Sequence, residues 1–359
     1  MGIFENLLEL RLSHPVISSS LKQQFLQEVF HTNLSLDEIE NTDRAYQAFF
    51  TRFHSLREAA ANRHRAIDSC TFADFFWVVK LLRNNHEPRR DLEKAVAERL
   101  DKDINHASLE SVFLDFAASV WSLLIIGRST AYNSYDDPVV WEASTFLHPG
   151  LNNQQPNLIN TVFPSPSFLD PVKLPQSFTA ANLEKIGGIQ VLWTDNLADH
   201  LLLRDDDTKV MLFHHVSALR LLFFPSKLPV RDLADETIRS LALLIPPTLG
   251  AASPWFEQQQ REHHLDSEAG RCDRLNSSER QIDKFHYWRE RLVLLKRTYD
   301  DAEPKNLSQL WWDDRKKTQW FTFWVAVLVF IMTVFFGVIQ SVASIVQAWA
   351  SVKSLKAQD

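Results

Sequence analysis

Two imidazoles, a carboxylate and a thiol stand close together at His263, His264, Asp266 and Cys272, the donor types of a zinc site. Their spacing speaks against that chemistry. Adjacent histidines leave a helix on different sides, and none of the usual ligand intervals occurs, so a solvated polar face is expected. His214 and His215 end an apolar run that reads as a strand; alternation would send one ring into the core and the other outward, so joint coordination is not expected. Gly-x-Gly-x-x-Gly, the phosphate-binding loop, Gly-x-Ser-x-Gly and His-Glu-x-x-His are all missing, and 8 glycines leave little material for a phosphate cradle. No catalytic residue, cofactor-binding residue, metal ligand or cofactor is expected. A catalytic site assembled from distant residues would leave no such trace.

The elements around these histidines are clearer than their chemistry. TAANLEKIGG reads as a short helix closed by Gly187 and Gly188, and IQVLW as a strand. A helical turn over Asn196–Asp199 follows, then HLLLR and TKVMLF as strands about Asp205-Asp206-Asp207. That order looks like a winged-helix module. Three aspartates at the wing tip oppose phosphate contact, and a net charge of −7 with pI near 6.0 gives no general attraction to polyanions. No nucleic-acid partner is expected; a small interaction or packing module is.

The rest of the body reads as helices. Phe25 and Val29; Tyr46, Phe49, Phe53 and Leu56; Phe72, Phe75, Phe76 and Val79; and Leu109, Val112, Phe113, Phe116 and Val120 recur at helical spacing across residues 18–126. The phenylalanines are expected to pack a core, not to line a ligand pocket. Val112–Ile126 is too short for a membrane span and contains Asp115, so it reads as a buried core helix. From Ser129 to Pro175 the rhythm stops. Pro138, Pro149, Pro156, Pro164, Pro166, Pro171 and Pro175 mark a long segment whose Trp141, Phe146, Phe163 and Phe168 should hold it over the bundle in extended form. Leu233–Ile245 reads as a helix stopped by Pro246-Pro247. Asn276 or Ser277 is expected to cap a long helix carrying Ile282, Phe285, Trp288, Leu292, Leu295 and Tyr299, broken by Pro304. The fold class expected is mainly α: a helical bundle with a small β element and one C-terminal transmembrane helix. Its parts are 1–128 (bundle), 129–178 (proline-rich linker), 179–225 (α/β module), 226–304 (helices packing on the bundle) and 318–351 (membrane helix with amphipathic extension).

The membrane helix is the firmest element. From Trp320 to Ile339 the chain reads WFTFWVAVLVFIMTVFFGVI, and no charged residue or histidine lies between Lys317 and Lys353. Twenty residues at ~1.5 Å span ~30 Å, a bilayer's hydrocarbon core. Trp311, Trp312, Trp320 and Trp324 gather at one end and Trp349 lies past the other, as interfacial rings do. A buried core helix would be shorter and less uniformly apolar. Beyond Phe336, Gly337, Gln340, Ser341, Ser344, Gln347, Ala348 and Ser351 share one face. Either Gly337, Ser341, Ser344 and Ala348 pack against a partner helix or a second copy, or the span ends near Ile339 and the remainder lies at the interface, the preferred reading.

Arg315, Lys316 and Lys317 before the span, against Lys353 and Lys356 after it, favour a cytosolic body. Glu5 and Glu9 argue against a signal peptide, Asn6 against myristoylation, and Cys70 and Cys272 form no disulfide pattern. The expected protein is a tail-anchored interaction or scaffold protein of an endomembrane. The alternatives are a membrane-tethered enzyme of unknown class or a membrane-held regulator with a winged-helix-like module.

Trp193-Thr194-Asp195 with Asp199-His200-Leu201, Phe213-His214-His215 and Tyr287-Trp288-Arg289-Glu290-Arg291-Leu292, followed by a tryptophan-flanked span, resemble a family of uncharacterised proteins from filamentous fungi. The resemblance covers roughly the second half of the chain. It implies architecture and no mechanism.

Overall fold

A computed structural model describes residues 7–16, 18–41, 43–84, 86–100, 108–127, 137–148, 156–164, 172–222, 230–247, 252–302 and 317–355. Gly2, Glu5, Asn6, Pro149, Pro166, Phe168, Pro171, Pro304, Trp311, Trp312, Arg315, Lys316 and Lys356, invoked above, lie outside the described residues. The chain divides into two compact units, one of residues 1–184 and 189–301 and one of residues 185–188 and 302–359. The fold is mainly α with a small three-stranded sheet and one apolar C-terminal helix.

In the first unit, α1 (Ser19–Phe30), α2 (Leu36–Asn41), α3 (Asp43–Arg63), α4 (Phe72–Asn84), α5 (Arg89–Leu100) and α6 (Leu109–Ser122) build the bundle. Ser18 caps α1 by accepting the Leu21 N–H, and His31 ends it in the left-handed conformation. The expected phenylalanines do form the core. The Phe25 ring meets Phe53 at 4.8 Å between centroids and stacks on Phe75 at 5.8 Å, and Phe75 reaches Phe116 at 5.3 Å. Edge-to-face aromatic packing of this kind adds about 0.5–1.5 kcal/mol per pair to simple burial.

From Val112 to Ser122 every residue of α6 is buried, and Asp115 is only 3% exposed. Two cations make that burial tolerable. Arg89 Nη1 donates to Asp115 Oδ1 at 2.6 Å and Arg63 Nη2 to Oδ2 at 3.1 Å. Arg89 also donates to Glu93 Oε1 and Ser111 Oγ, both at 2.8 Å, and lies over the Trp141 ring. In the proline-rich segment Trp141 is buried under Arg89 of the bundle, whereas Phe163 is buried against Trp288, at 5.1 Å between ring centroids. The segment also forms the short helix α7 (Leu158–Val162), whose N–H at Asn160 is capped by Asn157.

After α8 (Ala180–Lys185) come β1 (Gln190–Thr194), β2 (Leu203–Arg204) and β3 (Lys209–Phe213), arranged β1-β3-β2. β1 runs parallel to β3, and β2 antiparallel to it. The winged-helix likeness therefore ends at linear order. Where a groove-reading helix would stand there is only a 3-10 turn, Leu197–Asp199, and its three residues are buried. Asp205, Asp206 and Asp207 are exposed, with φ of 51, 53 and 63°. Aspartate is among the few L-residues that enter this region without severe strain, which explains its use in the hairpin.

α9 (Val216–Leu221), α10 (Val230–Leu244), α11 (Pro254–His263) and α12 (Arg289–Asp301) complete the unit. The expected long helix from Asn276 or Ser277 is not formed. A 3-10 turn covers Ile282–Lys284, and α-helix begins only at Arg289. Glu236 causes the break: its carboxylate accepts the backbone N–H of His286 and of Trp288, each at 2.7 Å. The turn instead presents Phe285 and Trp288 to the core, where both are fully buried.

The second unit holds α13 (Lys317–Leu355). Its 39 residues amount to about 58 Å of helix at ~1.5 Å each. The stretch Phe321–Ala350 is long and apolar enough to cross a membrane, and none of it is buried. The helix continues unbroken past Ile339. No proline or charge interrupts it there, and the hydroxyls of Ser341 and Ser344 bond back to the carbonyls of Gly337 and Gln340 at 2.8 and 2.9 Å. Those polar groups are thereby satisfied without leaving the helix.

Candidate functional site: an aspartate with two histidines

The parallel register pairs Thr194 with Phe213, so the next residues, Asp195 and His214, leave the two strands side by side. Asp195 Oδ1 accepts from His215 Nε2 at 2.7 Å and from His214 Nε2 at 3.2 Å. The imidazoles lie 4.0 Å apart between centroids, inclined by 32°. Both are buried, at 7% and 1% exposure, against the expectation that one would face outward. Alternation fails here because β3 ends at Phe213; His214 and His215 belong to the turn that starts α9.

Asp195 is the cluster's contact with solvent, its side chain 45% exposed. Partial burial opposes its ionisation, yet the hydrogen bonds from His214 and His215 prevail and hold its carboxyl well below the usual range. Burial, reinforced by His214 alongside, pushes His215 down to about 3 despite the carboxylate. Beneath the cluster, buried Arg52 donates through Nε to the Asp195 carbonyl at 2.8 Å.

The three donor atoms fall within 4.8 Å of one another, the donor set of a two-histidine, one-carboxylate metal site. The tautomers disfavour ligation. The backbone N–H of Asp266 donates to His214 Nδ1 at 3.3 Å, so that nitrogen holds the lone pair and Nε2 carries the proton. A metal on Nε2 would move the proton to Nδ1, against another N–H. His215 Nδ1 has no hydrogen-bond partner, so a metal on its Nε2 would leave a buried N–H without the acceptor that orients such ligands. A proton-bearing cluster leaves one lone pair unmatched, and a metal would leave two N–H groups badly placed.

A second layer closes the cluster. Asp266 accepts the Ser217 N–H at 2.7 Å, the Ser217 hydroxyl, and the Glu268 N–H at 3.0 Å. Burial raises the Asp266 carboxyl even so. His263 and His264 are exposed at the end of α11, while Asp266 and Cys272 are buried, so those four do not converge. Burial pushes the Cys272 thiol up to about 12, leaving no thiolate for chemistry near neutrality.

The other resemblance residues meet in an adjoining network. His200 takes the Phe213 N–H on Nδ1 at 3.2 Å and turns Nε2 to Ser240 Oγ at 2.7 Å. Ser240 donates to the Thr237 carbonyl, and Trp288 Nε1 donates to Thr237 Oγ1 at 2.9 Å. Arg291 Nη1 donates to the carbonyls of Ala198 and His200, both at 2.6 Å. Burial, with Arg291 close by, lowers His200 to about 3. Asn196, fully buried, accepts the Ile125 N–H at 3.0 Å and donates to the Asp137 carbonyl and Asp199 Oδ2, each at 3.0 Å. Sequence reading missed Arg52, Ser217, Glu236 and Asp266 as partners; each acts across a long stretch of chain, and no local spacing announces them.

A separate cleft of about 600 Å³ opens among the ends of α3, α5 and α6 and residues 140–143. Arg63, Arg89, Asp115, Glu110, Glu142 and Trp141 line it, and the histidine cluster does not. Compared with known proteins, the chain matches no family model, no curated protein and no solved structure.

Proposed function

We propose that this is a membrane-anchored protein whose C-terminal helix crosses an endomembrane and whose helical body, on the cytosolic side, serves as an interaction or scaffold module. The observation that carries the reading is the uncovered apolar helix over Phe321–Ala350. Its larger side chains, Phe330 and Ile345 among them at 69% exposure, are each worth roughly 1.5–3 kcal/mol on removal from water. Summed over the span, this exceeds the 5–15 kcal/mol or so that holds a domain folded. A bilayer supplies that cover, and the small-residue face at Gly337, Ser341, Ser344 and Ala348 is where a neighbouring helix would pack. The excess of Arg and Lys before the span supports a cytosolic body.

An interaction role is favoured over an enzyme because the strongly shifted histidines, His200 and His215, and Asp195 belong to hydrogen-bonded networks apart from the cleft. Alkaline carbonate extraction of cell membranes tests the anchor. Full-length protein should pellet and a chain lacking residues 317–355 should be released; a full-length protein in the supernatant would overturn the reading. In sealed vesicles, added protease should digest the body, and protection of the body would reverse the orientation. Proximity labelling from an N-terminal tag should mark cytosolic proteins at an endomembrane; labelling confined to luminal proteins would refute the placement.

A further inference from the structure

A small cleft lies at the last turn of α10, where Arg274, Arg280 and Gln176 stand over an apolar base of Ala242, Leu243 and Pro246. The chain holds Arg280 there firmly. Its carbonyl accepts the Leu174 N–H at 3.0 Å, its N–H donates to the Asn276 carbonyl at 3.2 Å, and the next residue, Gln281, forms an antiparallel bridge with Lys173. The side chain has no such partners. Its Nε and Nη1 are shut off from solvent, and neither meets an acceptor. Buried guanidinium donors left in that state cost free energy, and in folded proteins a counter-ion or a water ordinarily completes them.

The surrounding charge decides between the two. Arg274 faces the same cleft and is exposed; among the described residues neither arginine has an ion pair or a side-chain hydrogen bond, and no carboxylate lines the space. Glu279, beside Arg280 in the chain, spends an oxygen on the Asn276 N–H at 2.6 Å, and Asp273, beside Arg274, is exposed and stands outside the lining. The last carbonyls of α10 carry a fractional negative charge, enough to ease one cation and not two. A water would cap a donor and leave both charges as they are. An anion answers the donors and the charges together.

We propose that this cleft holds the phosphate group of a monoester, one terminal oxygen inside against Arg280 and the other two at the mouth, toward Arg274 and the Gln176 amide. The enclosed space is about 10 Å³, room for one water-sized atom. A ligand must therefore insert a single oxygen and leave its body outside, which a tetrahedral phosphate at the end of a molecule does. Its charge of about −1.5 to −2 at neutral pH matches two guanidiniums, whereas a carboxylate would match one.

The first probe is inorganic phosphate, titrated at pH 7.5 into full-length protein in non-ionic detergent and read by calorimetry and by the urea midpoint. One phosphate should bind per chain and raise the midpoint, and acetate should bind roughly ten- to a hundredfold more weakly, the loss expected for one charge-assisted contact. Phenyl phosphate and dihexanoyl phosphatidate, a soluble and a lipid monoester, should each displace phosphate, and the tighter of the two names the source. Arg280→Met should weaken phosphate by at least the same factor, and its midpoint should no longer respond to phosphate. Arg274→Gln alters an exposed side chain, so its weakening of phosphate by roughly five- to tenfold stays readable even if Arg280→Met does not fold. No heat and no midpoint shift at millimolar phosphate, equal affinity for phosphate and acetate, failure of both monoesters to displace phosphate, or an Arg274→Gln chain that binds phosphate undiminished would overturn the assignment.

Discussion

Acid should destabilise the body well before its carboxylates protonate, and His200 makes the test. His200 and His215 both fall from an ordinary 6.5 to about 3 because burial penalises the imidazolium. Between those values the unfolded chain binds protons that the folded chain refuses, so stability is whole above about pH 6.5 and drains away as pH falls toward 3. Working the linkage from pH 7.5 to 5.5 gives a loss of about 1.4 kcal/mol for each histidine, about 2.7 kcal/mol for the two. Asp195, held below the usual carboxylate range, adds in the same direction only below about pH 4. Asp266 and Glu236, raised by burial, act oppositely and gain stability as pH falls through their folded values. A difference measurement removes these companions. His200→Gln keeps a donor for Ser240 but cannot titrate; urea unfolding of full-length protein in non-ionic detergent should find it roughly 1–3 kcal/mol less stable at pH 7.5. Its loss between pH 7.5 and 5.5 should then be smaller than that of the native chain by about 1.4 kcal/mol. Parallel losses in the two proteins would show that His200 is protonated in the folded state and would refute the reasoning.

Asp115→Ala should be among the most damaging single changes to the bundle, since it leaves buried Arg89 without its closest carboxylate; a loss of roughly 3–5 kcal/mol is expected, read as a lowered midpoint in the same denaturation assay. Gly270→Ala should cost about 1–3 kcal/mol, because the new methyl would stand 2.4 Å from Phe256 Cδ1 and 2.9 Å from Ala252 Cβ, and the buried Phe256 ring has no room to retreat. An unchanged midpoint for either variant would show that the packing described around it is wrong.

What the sequence made readable was whatever repeats over a few residues. Phe25, Phe49, Phe53, Phe72 and Phe75 lie at helical spacing and do share one core, and the uncharged run after Lys317 is the apolar helix. Where two conformations serve the same spacing, the reading failed. Ile282, Phe285 and Trp288 recur every three residues, which suits an α-helical face and equally a 3-10 turn running into extended chain; Glu236, some fifty residues earlier, selects the second by binding the N–H groups of His286 and Trp288. The three strands were legible, but the direction of their pairing was not, since the order helix, strand, helical turn, strand, turn, strand is compatible with either direction between β1 and β3.

The histidines show why polar residues were the hardest to read. An imidazole on a strand is outward or inward by parity, but His214 and His215 lie just past the last ladder pair, where parity no longer applies. Their roles are set by Asp195, just past the neighbouring strand, and by the Asp266 N–H, which fixes the His214 tautomer from 52 residues away. Such residues resemble ligands or catalysts in sequence, because a buried hydrogen-bond network needs the same donors and acceptors that chemistry does. The difference lies in how completely they satisfy one another. In the His200 network each nitrogen has its partner and the charge is suppressed, whereas in the Asp195 cluster His215 Nδ1 is left without one.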